Sequence, residues 1–228
     1  MWAEGGGAAW RGVTRLACAN VRWGEGPEGR GRWGKVFILS TVLDIMFKNF
    51  EYDTSVSGTA PLKSSAAKKV IEQLRTQYPL LAEKGVLEDM FGANVKKTPL
   101  KVVAVHGHIQ LLLAQSQEAV FYNFRNGPYM PSMRTLYKYP GIMKSVRVDR
   151  GAIKYILRGA DVMCPGLTSE GGELPDENYP AGTPVAIFAE GKSLPLGVGL
   201  LKLSTDQIKS ENTGVAIYDI HHIDDGLW

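Results

Sequence analysis

The chain has 228 residues, enough for one or two domains that each bury a core. Its two cysteines, Cys18 and Cys164, exclude a disulfide framework and a cysteine zinc cage, and suit a reducing cytosol. The net charge of +3 is small but unevenly spread: residues 46–161 hold 17 Lys and Arg against 9 Asp and Glu, a net of +8, whereas residues 162–228 hold 3 against 10, a net of −7, which favours a polarised surface over a uniformly basic one.

Residues 1–45 differ from the rest. Four of the five tryptophans (Trp2, Trp10, Trp23, Trp33) lie in the first 33 residues, amid Gly-rich runs without sustained periodicity, which is not the pattern of a core. The apolar run Val36 to Leu43 is far shorter than the ~20 residues that span a bilayer and lies too deep in the chain for an ordinary signal peptide. Arginines in this stretch would suit a transit peptide, but Glu4, Glu25, Glu28 and the scarcity of serine count against one. No membrane contact is expected.

From Met46 onward periodic elements begin. Ser65 opens a helical pattern in which Ala67, Val70, Ile71, Leu74 and Tyr78 share one face, stopped by Pro79. Lys68, Lys69 and Arg75 lie off that stripe and with Lys63 form the clearest cationic cluster, although a charged helix face is commonly just a solvated one. A shorter helix is expected around Leu80 to Phe91, then strands at Leu100 to Val105, Ile109 to Leu113 and Ala119 to Phe124. Gly127-Pro128 and Pro131 bracket a turn into a short helix from Ser132 to Lys138, ended by Pro140. On it, Arg134 and Lys138 suit RNA contacts and interdomain ties equally. Phe121, Tyr122, Tyr129, Tyr137 and Tyr139 could stack on bases, but their strand and turn positions favour packing.

The most informative stretch is DRGAIKYILRGADVMCPGL, Asp149 to Leu167. Asp149 can cap a helix whose first turn holds Gly151 and Ala152, with Ile153, Ile156 and Leu157 on an apolar face and Lys154 and Arg158 on the other. Gly159 is placed to end that helix with positive φ, after which Ala160 to Met163 reads as a strand closed by Pro165-Gly166. Gly151 and Ala152 lack bulk, so a sugar-phosphate backbone could lie close to the helix start, where free N–H groups favour an anion. Equally, both glycines could serve backbone geometry alone, with the charges solvated.

The chain holds no convincing catalytic set. His106 and His108 alternate on an expected strand and could begin a metal site, but no matching third ligand lies nearby. His221 and His222 point to opposite faces of extended backbone, and Asp224-Asp225-Gly226 reads as a turn. Cys164 suits a buried apolar position better than a nucleophile, and no Walker-type loop, G-x-S-x-G or H-E-x-x-H occurs. Neither a cofactor nor a metal is expected.

The order D-x-G-A-x-x-x-x-x-x-G-A-x-V-M-x-P-G from Asp149 resembles the opening of a PUA domain, the small β-barrel of pseudouridine synthases and archaeosine transglycosylases, and Pro184 to Ser204 resembles its strand pair. LKVVAVHGHIQLLL (Leu100 to Leu113), GPYMPSMRTLYKYP (Gly127 to Pro140), MFKNF (Met46 to Phe50) and IDDGLW (Ile223 to Trp228) resemble the eukaryotic malignant T-cell-amplified sequence family, with matches through residues 46–228. Since that family characteristically begins at MFK, the resemblance makes Met46 the expected natural start, with residues 1–45 disordered or a non-native extension. It implies an α+β fold in which a small amino-terminal domain (46–143) packs rigidly against a carboxy-terminal PUA barrel (144–228).

The function implied is that of a non-catalytic cytoplasmic factor on the small ribosomal subunit, acting in reinitiation and in recycling with release of deacylated tRNA. Its implied partner is density-regulated protein, supplied in trans. The amino-terminal domain would dock on ribosomal RNA and protein, through Lys63, Lys68, Lys69, Arg75, Arg134 and Lys138, while the PUA surface meets the tRNA acceptor end. For that surface the resemblance nominates Gly151, Ala152, Lys154, Arg158 and the strand start Leu196-Gly197-Val198. The alternatives are an RNA-modifying enzyme whose PUA domain delivers substrate, for which ~100 preceding residues are too few by ordinary domain sizes, and an interaction module whose barrel does not touch RNA.

Overall fold

The computed structural model describes residues 47–48, 50–83, 85–92 and 100–228; the expected extension and the expected start at Met46 lie outside the described residues. A short helix, α1 (Tyr52–Ser55), leads through β1 (Val56–Pro61) to α2 (Ser64–Gln77), which buries Ala67, Ile71 and Leu74. A residue before proline is pushed out of helical backbone, and Tyr78, at φ −130°, ends α2 as Pro79 opens a 3-10 turn (Pro79–Ala82). The single helix expected over residues 80–91 is divided, because Gly85 turns the chain at φ +95° before α3 (Val86–Phe91) begins.

The strands β2 (Lys101–Val105), β3 (Ile109–Leu113), β4 (Ala119–Phe124) and β5 (Met130–Pro131) continue from β1 as one antiparallel meander, in chain order across the sheet. β1 and the two-residue β5, expected as part of a turn, are the strands of this sheet absent from the sequence expectation. The β1 segment VSGTAP lacks apolar alternation, and among the described residues it pairs on one side only, the position where a sheet tolerates Gly and Pro. α4 (Met133–Lys138) follows, capped by Ser132 Oγ, which accepts the Thr135 N–H at 3.3 Å.

The second unit holds β6 (Ser145–Val148), α5 (Ile153–Ile156), β7 (Val162–Met163), α6 (Pro165–Thr168), β8 (Pro184–Ala189), β9 (Gly197–Leu201), α7 (Thr205–Glu211) and β10 (Val215–His222). Its sheet runs β6-β8-β9-β10-β7, antiparallel except for the β6/β8 pair. Two sheets with short helices around them make the α+β class expected. α7 starts on a capping box of Ser204 and Gln207, a Ser-x-x-Gln spacing legible in the sequence.

Both faces of the second sheet are buried. Val185, Ile187, Leu201 and Ile217 pack with Val146, Ile156 and Val162 in its own core, while Ala186, Val198, Leu200, Tyr218 and Ile220 join the core of the first unit. This two-sided burial is why all five residues of GVGLL in β9 are covered.

A polar clasp crosses the same junction. His221 Nε2 accepts the Met133 N–H at 3.1 Å, and its Nδ1 lies 2.6 Å from Asp225 Oδ2, with the rings of Phe47 and Tyr122 packed edge-on around it. An accepting Nε2 fixes a neutral imidazole with its proton on Nδ1, donated to Asp225. Asp225 also accepts the N–H groups of His222 and Leu227, each at 3.0 Å, and of Trp228 at 3.1 Å. Burial would raise the Asp225 carboxyl, but His221 and these N–H donors outweigh it and hold the group below the usual carboxylate range. The chain can pass here because residue 226 is glycine: a Cβ would stand 2.1 Å from the Phe50 carbonyl oxygen.

Candidate RNA-binding groove

The segment from Asp149 to Gly166 wraps a groove of about 640 Å³. A 3-10 turn (Arg150–Ala152) runs directly into α5, and Gly159 closes the helical stretch at φ +73°, as its position predicted. Ile156 and Val162, both buried, form the floor. On the rim, Tyr155 and Met163 remain about half exposed, at 53% and 49%, and the Lys154 ammonium lies 4.9 Å from the centroid of the Tyr155 ring. Uncovered apolar side chains that stand together on the rim of a concave apolar surface mark a binding groove, as isolated ones do not. Leu157, expected on the apolar face, is also exposed, because the four-residue helix ends before a second turn can bury it.

The start of this segment is already occupied by carboxylates. Asp149 Oδ1 accepts the Ala152 N–H at 2.8 Å, and Glu190 Oε2 accepts the Arg150 N–H at 3.3 Å. Two of the N–H groups expected to receive a phosphate here, those of Arg150 and Ala152, are therefore taken by anions of the protein itself. Gly151 is exposed, its φ is not positive, and a Cβ would meet Asp149 Oδ1 at an ordinary 3.6 Å, so the fold itself does not require glycine there.

Of the sequence-nominated residues, Gly151, Ala152 and Lys154 line the groove, and Arg158 is exposed at the end of the same helical stretch without lining it. Leu196, Gly197 and Val198 do not belong to any surface. All three are buried, Leu196 N–H donates to Ile187 C=O at 2.7 Å, and a Cβ on Gly197 would lie 3.0 Å from the His221 carbonyl oxygen, so the close approach made by this glycine is to β10. A central strand has neighbours on both sides, which leaves no edge for RNA.

Tyr155, Met163 and Asp161 line the groove and were not nominated from sequence. Tyr155 carried a signal: it is an aromatic residue between Lys154 and Arg158, on the face where the helical pattern called for polar residues. Asp161 joins the groove wall to the junction. Its Oδ1 accepts the Asp219 N–H at 3.0 Å, and Asp219 Oδ2 lies 2.6 Å from His222 Nδ1. Burial opposes the charged form of His222, yet the Asp219 carboxylate outweighs it and raises the imidazole above its ordinary value. The adjacent histidines thus serve opposite faces with separate carboxylates.

The cations of the first unit divide into two groups. Lys63, Lys68, Lys69 and Arg75 are exposed along α2 and make no ion pair among the described residues. Arg134 pairs with Glu118 at 3.4 Å and donates to the Trp228 carbonyl at 2.8 Å, while Lys138 lies 2.6 Å from Asp89. These last two are structural ties. The aromatics behave likewise: Phe121, Tyr122 and Tyr129 are buried, and Tyr137 packs against Trp228 at 5.1 Å between centroids.

No helix among the described residues is long and apolar enough to cross a membrane. Residues 50–140 match the Pre-PUA-like domain, and residues 143–226 match the family described as elF2D, PUA domain. The chain is 44% identical over 185 residues to Malignant T-cell-amplified sequence 1-A of Xenopus laevis and 43% identical over 185 residues to Malignant T-cell-amplified sequence 2 of Homo sapiens, covering 80% of this chain and 97% of each relative. Among solved structures, hypothetical protein PH0734.1 of Pyrococcus horikoshii superposes with a TM-score of 0.53 at 27% identity, over 75% of this chain and 98% of that one. Matched by both domain families and at this identity along nearly the whole of its relatives, the chain belongs to the malignant T-cell-amplified sequence family of PUA-domain proteins, a translation-related, RNA-binding family.

Proposed function

We propose that this protein is a non-catalytic translation factor that binds RNA on the small ribosomal subunit in the cytoplasm, acting in reinitiation and in post-termination recycling with a density-regulated protein homologue as partner. The observation that carries the RNA contact is the groove, with an exposed aromatic ring and an ammonium group side by side over an apolar floor. An unpaired base stacks on Tyr155 while Lys154 neutralises an adjoining phosphate, a pairing suited to single-stranded RNA such as the tRNA acceptor end. A stacked duplex offers no free base face, so the groove disfavours it. In this reading the α2 cations Lys63, Lys68, Lys69 and Arg75 dock on ribosomal RNA and protein through contacts that orient without specifying sequence.

The test is recovery of the tagged protein from cytosol. Small-subunit ribosomal proteins and a density-regulated homologue are expected with it, and their absence contradicts the proposal. A second reading draws on the apolar groove itself and on the carboxylates at its head: an interaction module that holds a protein segment there. Tyr155→Ala separates the two, because the module predicts unchanged RNA affinity and salt dependence.

A further inference from the structure

A second recess lies at the tip of the β2–β3 hairpin. Val105 and Ile109 pair with each other, so His106, Gly107 and His108 form a three-residue turn, and both histidines are exposed on it instead of alternating along a strand. The end of β4 runs alongside, where the Arg125 N–H donates to the His108 carbonyl at 2.9 Å. β1 adds a third wall through Ser57, whose Oγ–H donates to the Ala104 carbonyl at 2.9 Å. Together they enclose about 600 Å³.

Three features give this recess anion chemistry. Its lining includes two imidazoles and the carboxamides of Gln110 and Asn126, with no Asp or Glu among the described residues. The backbone N–H groups of Gly107, His108 and Asn126 donate no hydrogen bond among the described residues. Finally, of the six non-glycine residues with positive φ among the described residues, three are here: His108 (67°), Arg125 (49°) and Asn126 (58°). Left-handed residues in tight turns gather N–H groups into the concavities that receive anions, and such backbone concentrates at functional sites.

We propose that the recess binds the phosphate group of a nucleotide, carried on an RNA strand. Its volume suits a nucleotide better than a bare ion. The proposal rests on the RNA-binding reading only for the source of the phosphate.

The experiment titrates the full chain with inorganic phosphate, with adenosine monophosphate and with a single-stranded RNA oligonucleotide, following the imidazole resonances of His106 and His108. The recess variant is His106→Ala with His108→Asn, since asparagine tolerates left-handed backbone; Tyr155→Ala reports on the groove. Phosphate and the mononucleotide are expected to shift both histidines. The recess variant is expected to weaken mononucleotide binding about tenfold and to reduce the slope of log RNA affinity against log salt by about 0.7, one phosphate contact. Tyr155→Ala should weaken RNA binding and leave the mononucleotide unaffected. Unmoved histidine resonances in the wild type, a measurement independent of whether the variant folds, overturn the site even if RNA still binds through the groove. Phosphate and mononucleotide binding at the histidines with no RNA binding leaves the site standing with a free nucleotide as its source, and removes the RNA reading instead.

Discussion

Two helical segments among the described residues carry exposed cations at helical spacing that make no ion pair, and they differ in what stands beside the charge. On α2, Lys68, Lys69 and Arg75 project from a helix whose other face packs normally, so the cations share their surface with polar neighbours. On the Asp149 to Met163 segment, Lys154 stands next to an exposed tyrosine and across from an exposed methionine, and the wall behind them connects through Asp161, Asp219, His222 and Asp225 to the clasp at His221. Charge alone marks a place where phosphate can be neutralised. Charge beside uncovered apolar surface, on a scaffold anchored into the core, marks a place built for a base as well.

The largest expected effect breaks the anchoring. His221→Ala leaves the Met133 N–H without its acceptor and the Asp225 carboxylate without its side-chain donor, and should cost about 1–3 kcal/mol of folding stability for each, measured by denaturant unfolding, whereas Lys68→Ala and Lys69→Ala should stay within about 0.5 kcal/mol of wild type. Equal losses at the two places would dissolve the contrast. The same clasp predicts an acid limb of stability. Because Asp225 is held below its ordinary 3.8 in the folded protein, its contribution is full above that value and is lost as pH falls through the depressed folded value; Asp225→Asn should lack this dependence in thermal melts taken across the acid range.

Next in size is the groove. Tyr155→Ala should weaken single-stranded RNA binding by about 1–3 kcal/mol with melting temperature preserved, since the ring is half exposed. Smallest is the α2 face, where Lys68→Glu with Lys69→Glu should flatten the salt dependence of small-subunit binding while leaving binding of a short RNA oligonucleotide to the groove unchanged. A loss of oligonucleotide binding in that variant as large as that of Tyr155→Ala would place RNA on both helices.

Legibility from sequence followed the reach of each signal. α2, β3 and β4 were readable to within a residue or two because periodicity and a proline stop are local. β1 was not, because an exposed edge strand shows no burial pattern and is held by β2, forty or more residues on. In the groove, Gly151, Ala152 and Lys154 were legible as neighbours in one motif, whereas Leu196, Gly197 and Val198 were misread: small and apolar residues at a strand start look alike whether they meet a ligand or another strand. Arg134 illustrates the same limit, since its carbonyl partner at Trp228 is 94 residues away. The separate pairings of His221 with Asp225 and His222 with Asp219 needed the strand and turn geometry of β10 before either carboxylate could be assigned.

The central claim is that RNA enters the groove between Tyr155 and Met163. Photo-crosslinking of single-stranded RNA to the full chain, followed by mass spectrometry of the crosslinked peptides, tests it most directly. Adducts within Asp149 to Gly166, lost in Tyr155→Ala, are the predicted result; adducts confined to α2 or to other segments, with Asp149 to Gly166 unmodified, would contradict it.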